Sequence, residues 1–571
     1  MEKIWLKNYP RGVPHEINPD EYRSLVELLD ESCVRFADLP AFTSMGRTIT
    51  YREFERLSRD FAAWLQSTTL RKGDRIAIML PNVLQYPIAL YGALRAGLTV
   101  VNTNPLYTTR ELQHQLADSG AKAIVILENF AHTLEQVIGQ TALEHVIVTA
   151  VGDQLRWPKS ALVNLVVRHV RKQVPRWRLP GPVRFNDVLQ RGAFEAFTPV
   201  ETGPADVAFL QYTGGTTGVA KGAMLTHRNM VANVLQSAAW IGNDARLGAD
   251  IVITALPLYH IFALTANCLV FVKFGARNIL IVNPRDFPAF VRELRAYRFT
   301  YISGVNTLFN ALLHTPGFDQ VDFSALRISL GGGMAVQRSV AEHWQRVTGS
   351  VLTQAWGLTE TSPGACINPL SYPYNGSIGL PISSTEISIR GDDGEELPLG
   401  AIGEICVRGP QVMAGYWNRP EETAQVMLGD WLRTGDIGRM DEQGLVYIED
   451  RKKDMILVSG FNVYPNEIES VAATHPGVLE VAAVAQPDEH SGEVVALFVV
   501  RKDPSLTEQQ LIDHCREQLT GYKVPRHVHF RTELPKTNVG KILRRALRDE
   551  LRRQESPAPA RQTRERHSAA H

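Results

Sequence analysis

A loop rich in glycine and threonine carries the clearest chemical signal in this sequence, Tyr212-Thr-Gly-Gly-Thr-Thr-Gly-Val-Ala-Lys-Gly222. Glycines permit positive φ and a close approach of the backbone, so successive N–H groups can point at one anion. The donors in the loop are Thr213, Gly214, Gly215, Thr216, Thr217 and Lys221. The preceding residues 207–212 are typical of a buried strand, and open α/β sheets bind ligands where strands end. We therefore interpret the loop as a cradle for nucleotide phosphates.

The nearest alternative for this loop is a Walker A sequence, which places Gly-Lys-Ser/Thr after four intervening residues. Here Lys221 follows alanine and precedes glycine. A turn without a ligand is the other alternative, and the strand before the loop and the lysine within it argue against that interpretation.

A second group of chemical residues lies in Ala355-Trp-Gly-Leu-Thr-Glu-Thr361. An aromatic ring, a hydroxyl and a carboxylate so close together can contact a base, hold a phosphate and ligate a hard cation. Mg²⁺ prefers oxygen ligands and usually bridges substrate phosphates through one or two carboxylates. Glu360 is therefore the candidate metal ligand, although Gly-Leu-Thr-Glu also begins ordinary helices.

The composition excludes several classes of protein. Lys plus Arg and Asp plus Glu both number 60, so no overall field favours nucleic acid. The five cysteines lack the spacing of a zinc site or a disulfide framework, which fits a reducing, cytoplasmic compartment. The amino terminus lacks the apolar core of a secretory signal. The most apolar run, residues 256–272, is shorter than the ~20 residues of a membrane-spanning helix, and we interpret it as core and pocket wall.

The pattern of helices and strands predicts an α/β fold. The strands expected in a large body of mostly parallel sheets are at residues 74–80, 123–127, 145–149 and 251–256. Strands at residues 404–407 and 445–448 indicate a β-rich layer late in this body.

After residue 450 the pattern predicts a small α+β domain. Strands are expected at residues 478–484 and 493–501. The sequence Ser505-Leu-Thr-Glu508 reads as a capping box that opens a helix, which Gly521 would end. The predicted division is a large domain at residues 1–452, a small mobile domain at residues 453–555, and a disordered basic tail at residues 556–571.

Taken together, these motifs resemble the adenylate-forming superfamily of acyl-CoA synthetases, luciferases and peptide-synthetase adenylation domains. The stretch from Gly429-Asp-Trp-Leu-Arg-Thr-Gly-Asp436 to Asp450-Arg-Lys-Lys453 resembles the fatty acyl-CoA synthetase signature, with Gly429-Asp430 transposed. The resemblance covers residues 17–545 and points to bacterial long-chain fatty acid–CoA ligases. It implies ATP, Mg²⁺ and CoA. In the implied reaction the fatty acid carboxylate attacks the α-phosphate of ATP to give acyl-adenylate and pyrophosphate, and the CoA thiol then displaces AMP.

The resemblance also implies roles for individual residues. Those implied in catalysis are Lys541, Glu360 and Thr217. Those implied in nucleotide binding are Thr213, Gly214, Gly215, Thr216, Thr217, Lys221, Gln354, Trp356, Thr359, Asp436 and Arg451. Those implied at the acyl site are His260, Leu264, Gly331 and Gly332, and the implied hinge is Lys453.

Three of these implied roles have a direct physical reason. The ammonium of Lys541 can neutralise charge that develops on phosphate oxygens, once the small domain swings to deliver it. Asp436 can accept hydrogen bonds from two ribose hydroxyls, and the resemblance assigns it to ribose together with Arg451. The superfamily usually has glycine and tyrosine where this chain has Ala355 and Trp356, and stacking on adenine survives a change from tyrosine to tryptophan.

The segment from Trp157 to Arg178 departs from the α/β pattern. It carries apolar residues at helical spacing beside a cluster of basic residues, with tryptophans near both ends. Such a segment can lie on an anionic membrane surface. The alternative is an ordinary surface helix whose apolar stripe packs on the body.

Two other functions share part of this evidence. An adenylation domain that loads a carrier protein would have the same nucleotide motifs, together with a carrier module after Lys541 that this sequence does not contain. A fatty-acid carrier at the membrane would use ATP only as a switch. The expected partners are fatty acid, ATP and CoA, with peripheral contact to inner-membrane lipids on the cytoplasmic face and no nucleic acid. A homodimer is among the oligomeric states that the sequence allows.

Overall fold

The structure is a computed structural model that describes residues 2–213, 220–488, 490–537 and 540–555. Contacts divide the chain into a first unit, Met1–Glu449 with Asn538–Lys541, and a second unit, Asp450–Thr537 with Ile542–His571. The tail at residues 556–571, for which the sequence predicts disorder, lies outside the described residues.

The described residues form the following strands and helices. The strands are β1 Pro40–Ser44, β2 Arg47–Thr50, β3 Arg75–Met79, β4 Thr99–Asn102, β5 Ala123–Leu127, β6 His145–Thr149, β7 Val183–Arg184, β8 Val207–Thr213, β9 Lys221–Thr226, β10 Ile251–Thr254, β11 Arg277–Leu280, β12 Tyr301–Gly304, β13 Ile328–Gly331, β14 Leu352–Gly357, β15 Gly364–Ile367, β16 Leu380–Pro381, β17 Glu386–Arg390, β18 Gly403–Arg408, β19 Met427–Leu428, β20 Trp431–Met440, β21 Val446–Arg451, β22 Ile456–Val458, β23 Phe461–Val463, β24 Val478–Asp488, β25 Gly492–Arg501 and β26 His527–Arg531. The α-helices are α1 Leu25–Arg35, α2 Tyr51–Gln66, α3 Gln85–Arg95, α4 Thr109–Ser119, α5 Ala131–Glu135, α6 Lys159–Leu165, α7 Phe185–Gly192, α8 His227–Ile241, α9 Ile261–Ala263, α10 Val270–Lys273, α11 Phe287–Leu294, α12 Asn306–Leu313, α13 Arg338–Thr348, α14 Pro420–Val426, α15 Pro465–Ala472, α16 Glu508–Gln518 and α17 Arg544–Glu555.

Two sheets of the first unit consist mainly of parallel strands. One has the order β16-β15-β14-β13-β12-β10-β11-β1-β2 and the other the order β7-β6-β5-β3-β4-β8-β9. Strand β5 shows why: all five of its residues are apolar and buried, as expected where helices cover both faces of a parallel sheet. A third sheet, β17-β18-β20-β19 with β21 beside β20, supplies the expected β-rich layer. The prediction of an α/β fold with a large N-terminal domain is confirmed.

The second unit is the small α+β domain that the sequence predicts. Its sheet has the order β23-β22-β25-β24, and β26 pairs in parallel with β25. One face of the sheet packs on α15 and α16 through residues such as Ile468 and Leu511. Helix α17 packs on the other face, where Leu547 and Leu551 meet Phe498.

The capping box predicted at Ser505 is wrong by two residues. Helix α16 begins after Thr507, whose side chain and that of Gln510 form the reciprocal box. Ser505 instead donates its hydroxyl to Asp503 in the preceding turn. Glu508 accepts a hydrogen bond from the backbone of Val528, and the helix ends at Gln518, before Gly521. The pairs Ser505–Glu508 and Thr507–Gln510 both fit the pattern of a capping box. In the structure the side chain of Glu508 bonds to Val528 instead of to Ser505.

The segment from Trp157 to Arg178 is helical only in its first half. Helix α6 continues into a π-helix at Val166–Val170, and Lys172, with φ of 51°, leaves the helical conformation. Trp177 packs against the core, but most of the large apolar side chains on this segment are not covered by the body. Trp157, Leu162, Leu165 and Val170 are between 53% and 84% exposed, so the interpretation as a surface helix with a packed apolar stripe is wrong.

Candidate active site in the first unit

The two ends of the glycine- and threonine-rich loop lie opposite each other on neighbouring strands. Thr213 ends β8 and Lys221 begins β9, and the two residues are direct partners in an antiparallel pair. A P-loop instead joins a strand to a helix, so this arrangement excludes the Walker A alternative. Gly214, Gly215, Thr216 and Thr217 lie outside the described residues.

The carboxylate of Glu360 lies close to the lysine at the end of this loop, with a tyrosine between them. Glu360 and Thr359 form a 3₁₀ turn, Thr359–Thr361, that follows β14. Tyr416 donates its hydroxyl to Oε1 of Glu360 over 2.7 Å. Nζ of Lys221 lies 5.1 Å from the centre of the Tyr416 ring, within the range of a cation–π contact. Burial and the Glu360 carboxylate raise the pKa of Tyr416 above its ordinary value, so its hydroxyl stays a donor.

Trp356 and Asp436 form a buried pair between two sheets. The indole N–H of Trp356 on β14 donates to Oδ2 of Asp436 on β20 over 2.9 Å. Their exposed fractions are 8% and 3%. Ala355 belongs to β14 and adopts no positive φ, so the backbone does not need glycine there.

Gln354, two residues before Trp356, has an unsatisfied donor. Nε2 of Gln354 is buried and has no hydrogen-bond partner among the described residues. Buried amide groups are ordinarily hydrogen-bonded. An amide donor of this kind is therefore a candidate contact for a bound ligand.

His260 lies in the loop after β10. Buried polar side chains on or near the sheet that contains β3 and β8 form hydrogen bonds with the backbone of this loop. Asn82 bonds to the backbone of residues 254, 256 and 258, Tyr86 donates to the carbonyl of Leu258, and Gln211 donates to that of Tyr259. Burial, together with the charge of Lys541, lowers the pKa of His260 to about 3. Nδ1 of the neutral ring accepts from the N–H of Phe262, which leaves Nε2 as the donor.

A triple-glycine turn follows β13 and brings the backbone close to Lys541. A β-carbon on Gly332 would lie 3.0 Å from the carbonyl oxygen of Ala355, and one on Gly333 would lie 3.1 Å from Cε of Lys541 and 3.5 Å from its Nζ. Gly333 also has a φ of 77°, a conformation that L side chains rarely adopt. Glycine is required here because the space belongs to neighbouring groups. Lys541 itself belongs to the first unit by its contacts.

Strand β14 connects these clusters. Gly331 on β13 pairs with Gln354 on β14, Trp356 follows two residues later, and the turn with Glu360 comes directly after the strand. Leu264 is fully buried, and its N–H donates to the carbonyl of His260. The first unit therefore contains the described residues of the predicted nucleotide and acyl sites other than Arg451.

Two of the predicted residues lie in the second unit. Arg451 ends β21 and is exposed, and Lys453 is exposed with its carbonyl accepting from Arg548 over 3.3 Å. Four contacting residues were not predicted from the sequence, because they reach the predicted residues only through the tertiary fold: Tyr416, Asn82, Tyr86 and Gln211. The aromatic pair Tyr416-Trp417 is the one signal that could have drawn attention to Tyr416.

Comparison with protein families gives a match over most of the chain. Residues 29–417 match the model of the AMP-binding enzyme, and residues 467–541 match that of the AMP-binding enzyme C-terminal domain. Solved structures agree. The anthranilate CoA ligase AuaEII in complex with anthranoyl-AMP has a TM-score of 0.84 at 25% identity and covers 94% of this chain and 99% of its own. ATP-bound MatB from Rhodopseudomonas palustris has a TM-score of 0.76 at 28% identity and covers 92% and 98%.

Curated relatives extend along almost the whole sequence. The long-chain-fatty-acid–CoA ligase of Escherichia coli O6:H1 is 59% identical over 97% of this chain and 99% of its own length. The proteins of the same name from Haemophilus influenzae and Bacillus subtilis are 54% and 39% identical over 96% of this chain, covering 99% and 98% of their own lengths. The chain therefore belongs to the AMP-binding enzymes, alongside the long-chain-fatty-acid–CoA ligases that it resembles from end to end.

Proposed function

We propose that the protein is an AMP-forming ligase that joins long-chain fatty acids to CoA. The observation that carries this proposal is the identity of 54–59% with enterobacterial and Haemophilus relatives that bear this name. In the first step the fatty acid carboxylate attacks the α-phosphate of ATP, forming a carboxyl–phosphate bond and releasing pyrophosphate. In the second step the CoA thiol attacks the acyl carbon, forming the thioester and releasing AMP.

The nucleotide would lie at the C-terminal end of β14. The ends of the β8–β9 loop at Thr213 and Lys221 support a place for the phosphates. The buried carboxylate of Asp436 suits two ribose hydroxyls, and the unpartnered Nε2 of Gln354 offers a further donor. Stacking of Trp356 on adenine and binding of ribose by Arg451 stay predictions.

The single carboxylate of Glu360 fits one Mg²⁺ ion whose other ligands are phosphate and water oxygens. Among the described residues no group of three or more His, Cys, Asp or Glu could hold a metal, and Mg²⁺ usually needs only one or two carboxylates besides substrate phosphates. Tyr416 fixes Oε1 of Glu360, which leaves Oε2 for the ion. Bound there, Mg²⁺ would screen the negative charge of the phosphates.

The chemistry of the first step falls to Lys541 and its surroundings. The ammonium group lies beside the glycine turn at Gly333 and would neutralise charge that develops on the phosphate oxygens as the carboxylate attacks. His260 is neutral above pH ~4 because of its low pKa. It can therefore donate a hydrogen bond to the fatty acid carboxylate without adding a second positive charge.

Pyrophosphate release tests this function against its alternatives. The purified protein would be given ATP, Mg²⁺ and palmitate, with and without CoA, and pyrophosphate, AMP and free thiol would be measured. A ligase consumes CoA and forms AMP at the rate of sustained pyrophosphate release. An enzyme that loads a carrier protein gives pyrophosphate without consuming thiol, and a carrier that uses ATP as a switch gives no fatty-acid-dependent pyrophosphate.

We also propose that the protein touches an anionic lipid surface through the segment from Trp157 to Arg178. Residues 154–186 contain no aspartate or glutamate, and their basic residues are Arg156, Lys159, Arg168, Arg171, Lys172, Arg176, Arg178 and Arg184. Among the described residues, Arg156, Arg171, Lys172 and Arg176 have no carboxylate partner. Exposed apolar side chains lie between them, a combination suited to the boundary between headgroups and acyl chains. No helix in the described part of the chain combines the length and hydrophobicity needed to cross a bilayer.

Co-sedimentation with lipid vesicles tests this contact. We expect binding to vesicles that contain phosphatidylglycerol and little binding to pure phosphatidylcholine. Replacing Arg171 and Lys172 by Gln should weaken binding about fivefold per charge at low salt. Leu162→Ser should weaken binding at both low and high salt, because the loss of apolar contact is not screened by ions. Phe194→Ala is the matched control, because Phe194 is 88% exposed but lies outside the segment. Equal binding by all variants would refute the contact.

Two further properties stay proposals. The free, buried thiols of all five cysteines support a reducing, cytoplasmic compartment. Whether the protein works as a monomer or as a homodimer is a question that light scattering answers directly.

A further inference from the structure

The hydrogen bond between Trp356 and Asp436 joins two sheets at the proposed nucleotide site. β14 belongs to the nine-stranded sheet and β20 to the five-stranded sheet, and the donor and acceptor are 2.9 Å apart. We propose that Trp356 is a positioning residue for ribose recognition, which holds the carboxylate of Asp436 in the orientation that accepts two sugar hydroxyls. This inference rests on the proposed nucleotide site.

Hydrogen bonds to β18 hold the backbone around Asp436. The N–H of Asp436 donates to Oγ1 of Thr434 over 3.1 Å, and Thr434 donates its hydroxyl to the carbonyl of Ile405 over 2.7 Å. The N–H of Gly435 donates to Glu404 over 3.0 Å. These bonds hold the backbone of β20 to β18, whereas the bond from Trp356 acts on the carboxylate itself.

The indole of Trp356 can set this rotation without blocking the sugar. An ionised carboxylate offers about four lone-pair sites, and the indole N–H uses one of them. The indole nitrogen is a donor only, so it cannot compete with the carboxylate for the ribose hydroxyl protons. Because the Trp356 ring is packed and 8% exposed, its N–H points in one direction.

The choice of tryptophan matters because of where its donor lies. The resembling signatures carry tyrosine at this position, and the hydroxyl of tyrosine is at the far end of its ring. The indole N–H lies on the side of the ring, close to the strand, which is where Asp436 approaches from β20. The change to tryptophan therefore gives this chain a ribose-positioning contact that stacking on adenine alone does not provide.

Titration of AMP and of 2′,3′-dideoxy-AMP, without fatty acid, tests the inference. The wild-type protein should prefer AMP, because only AMP has hydroxyls for Asp436. In Trp356→Phe we expect the affinity for AMP to fall about tenfold and the affinity for dideoxy-AMP to change less than about twofold. Trp240→Phe is the matched control, since its indole N–H donates to the backbone carbonyl of Asn368 and not to Asp436, and it should leave the preference for AMP over dideoxy-AMP unchanged.

A double-mutant cycle separates positioning from a general loss of structure. In an Asp436→Asn background, Trp356→Phe should cost little further AMP affinity, because the two changes remove one interaction. Equal losses for AMP and dideoxy-AMP in Trp356→Phe, or additive losses in the cycle, would overturn the inference. If Trp356→Phe does not fold, Asp436→Asn with Trp356 intact must still lose the preference for AMP, or the inference is wrong. A wild-type protein that binds no AMP would instead refute the nucleotide site on which the inference rests.

Discussion

Arg544 organises the ionic core of the second unit, and its removal gives a sharp test of the electrostatic reasoning. Its guanidinium donates to both carboxylate oxygens of Glu469 over 2.9 and 2.7 Å and to Asn466 over 2.6 Å. It also lies 3.5 Å from Asp450 and 3.8 Å from Asp454. Arg544 therefore ties the start of α17 to α15 and to the carboxylates on either side of the predicted hinge at residue 453. We predict that Arg544→Met destabilises the second unit strongly.

The magnitude follows from the burial of this network. The side chain of Arg544 is 18% exposed and that of Asp450 is 1% exposed, so water cannot replace the lost cation. Removing one partner of a buried ion pair typically costs about 3–5 kcal/mol. For a unit of roughly 100 residues this lowers the unfolding temperature by at least ~12 °C.

The pH dependence of this deficit has a definite sign. Burial raises the pKa of Asp450 to about 6, although Arg544 acts in the opposite direction. Without Arg544 the folded-state pKa of Asp450 must rise further. An acid whose pKa is raised in the folded state favours folding at low pH, and this contribution is lost as the pH rises through the folded-state pKa. The deficit of Arg544→Met should therefore be largest above pH ~7 and shrink towards pH ~5.

Calorimetric unfolding between pH 5 and pH 8 measures both the deficit and its slope. Arg545→Met is the matched control, because Arg545 is the next residue along the chain but is exposed. Its side chain is 55% exposed and lies 3.7 Å from Asp549 in a surface ion pair. Exposed pairs on a helix contribute about 0.3–0.5 kcal/mol, so the control should unfold within ~4 °C of the wild type. A deficit of Arg544→Met that equals that of the control, or that does not change with pH, would refute the reasoning.

Three predictions concern the reaction itself. Glu360→Gln should raise the Mg²⁺ concentration needed for pyrophosphate release at least tenfold, because the amide keeps the shape and loses the charge; an unchanged Mg²⁺ titration contradicts the assignment. Leu264→Trp should shift the preference from long to medium acids, since overpacking costs about 1–3 kcal/mol, and an unaltered ratio of palmitate to octanoate activity argues that Leu264 does not border the acyl site. Lys541→Ala should stop acyl-adenylate formation but spare thioester formation from supplied acyl-adenylate. Lys453→Pro, with φ fixed near −65°, should instead spare acyl-adenylate formation and slow thioester formation. Loss of both half-reactions in Lys541→Ala would count against a role confined to the first step.

The sequence by itself predicted the elements that depend on local order. Residues 123–127 and 145–149 are strands as predicted, because a run of apolar residues has few alternatives inside a parallel sheet. The loop after residue 213 was placed correctly at the end of a strand. The capping box of α16 was misplaced, since two serine or threonine caps competed and the contact between Glu508 and Val528 decided between them.

The sequence could not predict contacts between residues that are far apart along the chain. Tyr416 is 56 positions from Glu360, and Asn82 is 172–176 positions from the backbone groups that it binds. Neither residue has a local pattern that distinguishes it from an ordinary core residue. The bond from Trp356 to Asp436 spans 80 positions and two sheets, so the motif that contains Trp356 says nothing about it.

What the sequence by itself determined is therefore which short motifs the chain carries, and it predicts their chemistry: a loop for phosphate, a carboxylate for a hard cation, a lysine beside glycine and an apolar wall around His260. What only the tertiary structure decided is which side chains orient these groups. Orientation depends on hydrogen bonds across strands and sheets, and their geometry arises only when distant segments pack. The exposed apolar residues around Leu162 illustrate the same point, because helical spacing shows that they share a face but not whether that face is covered.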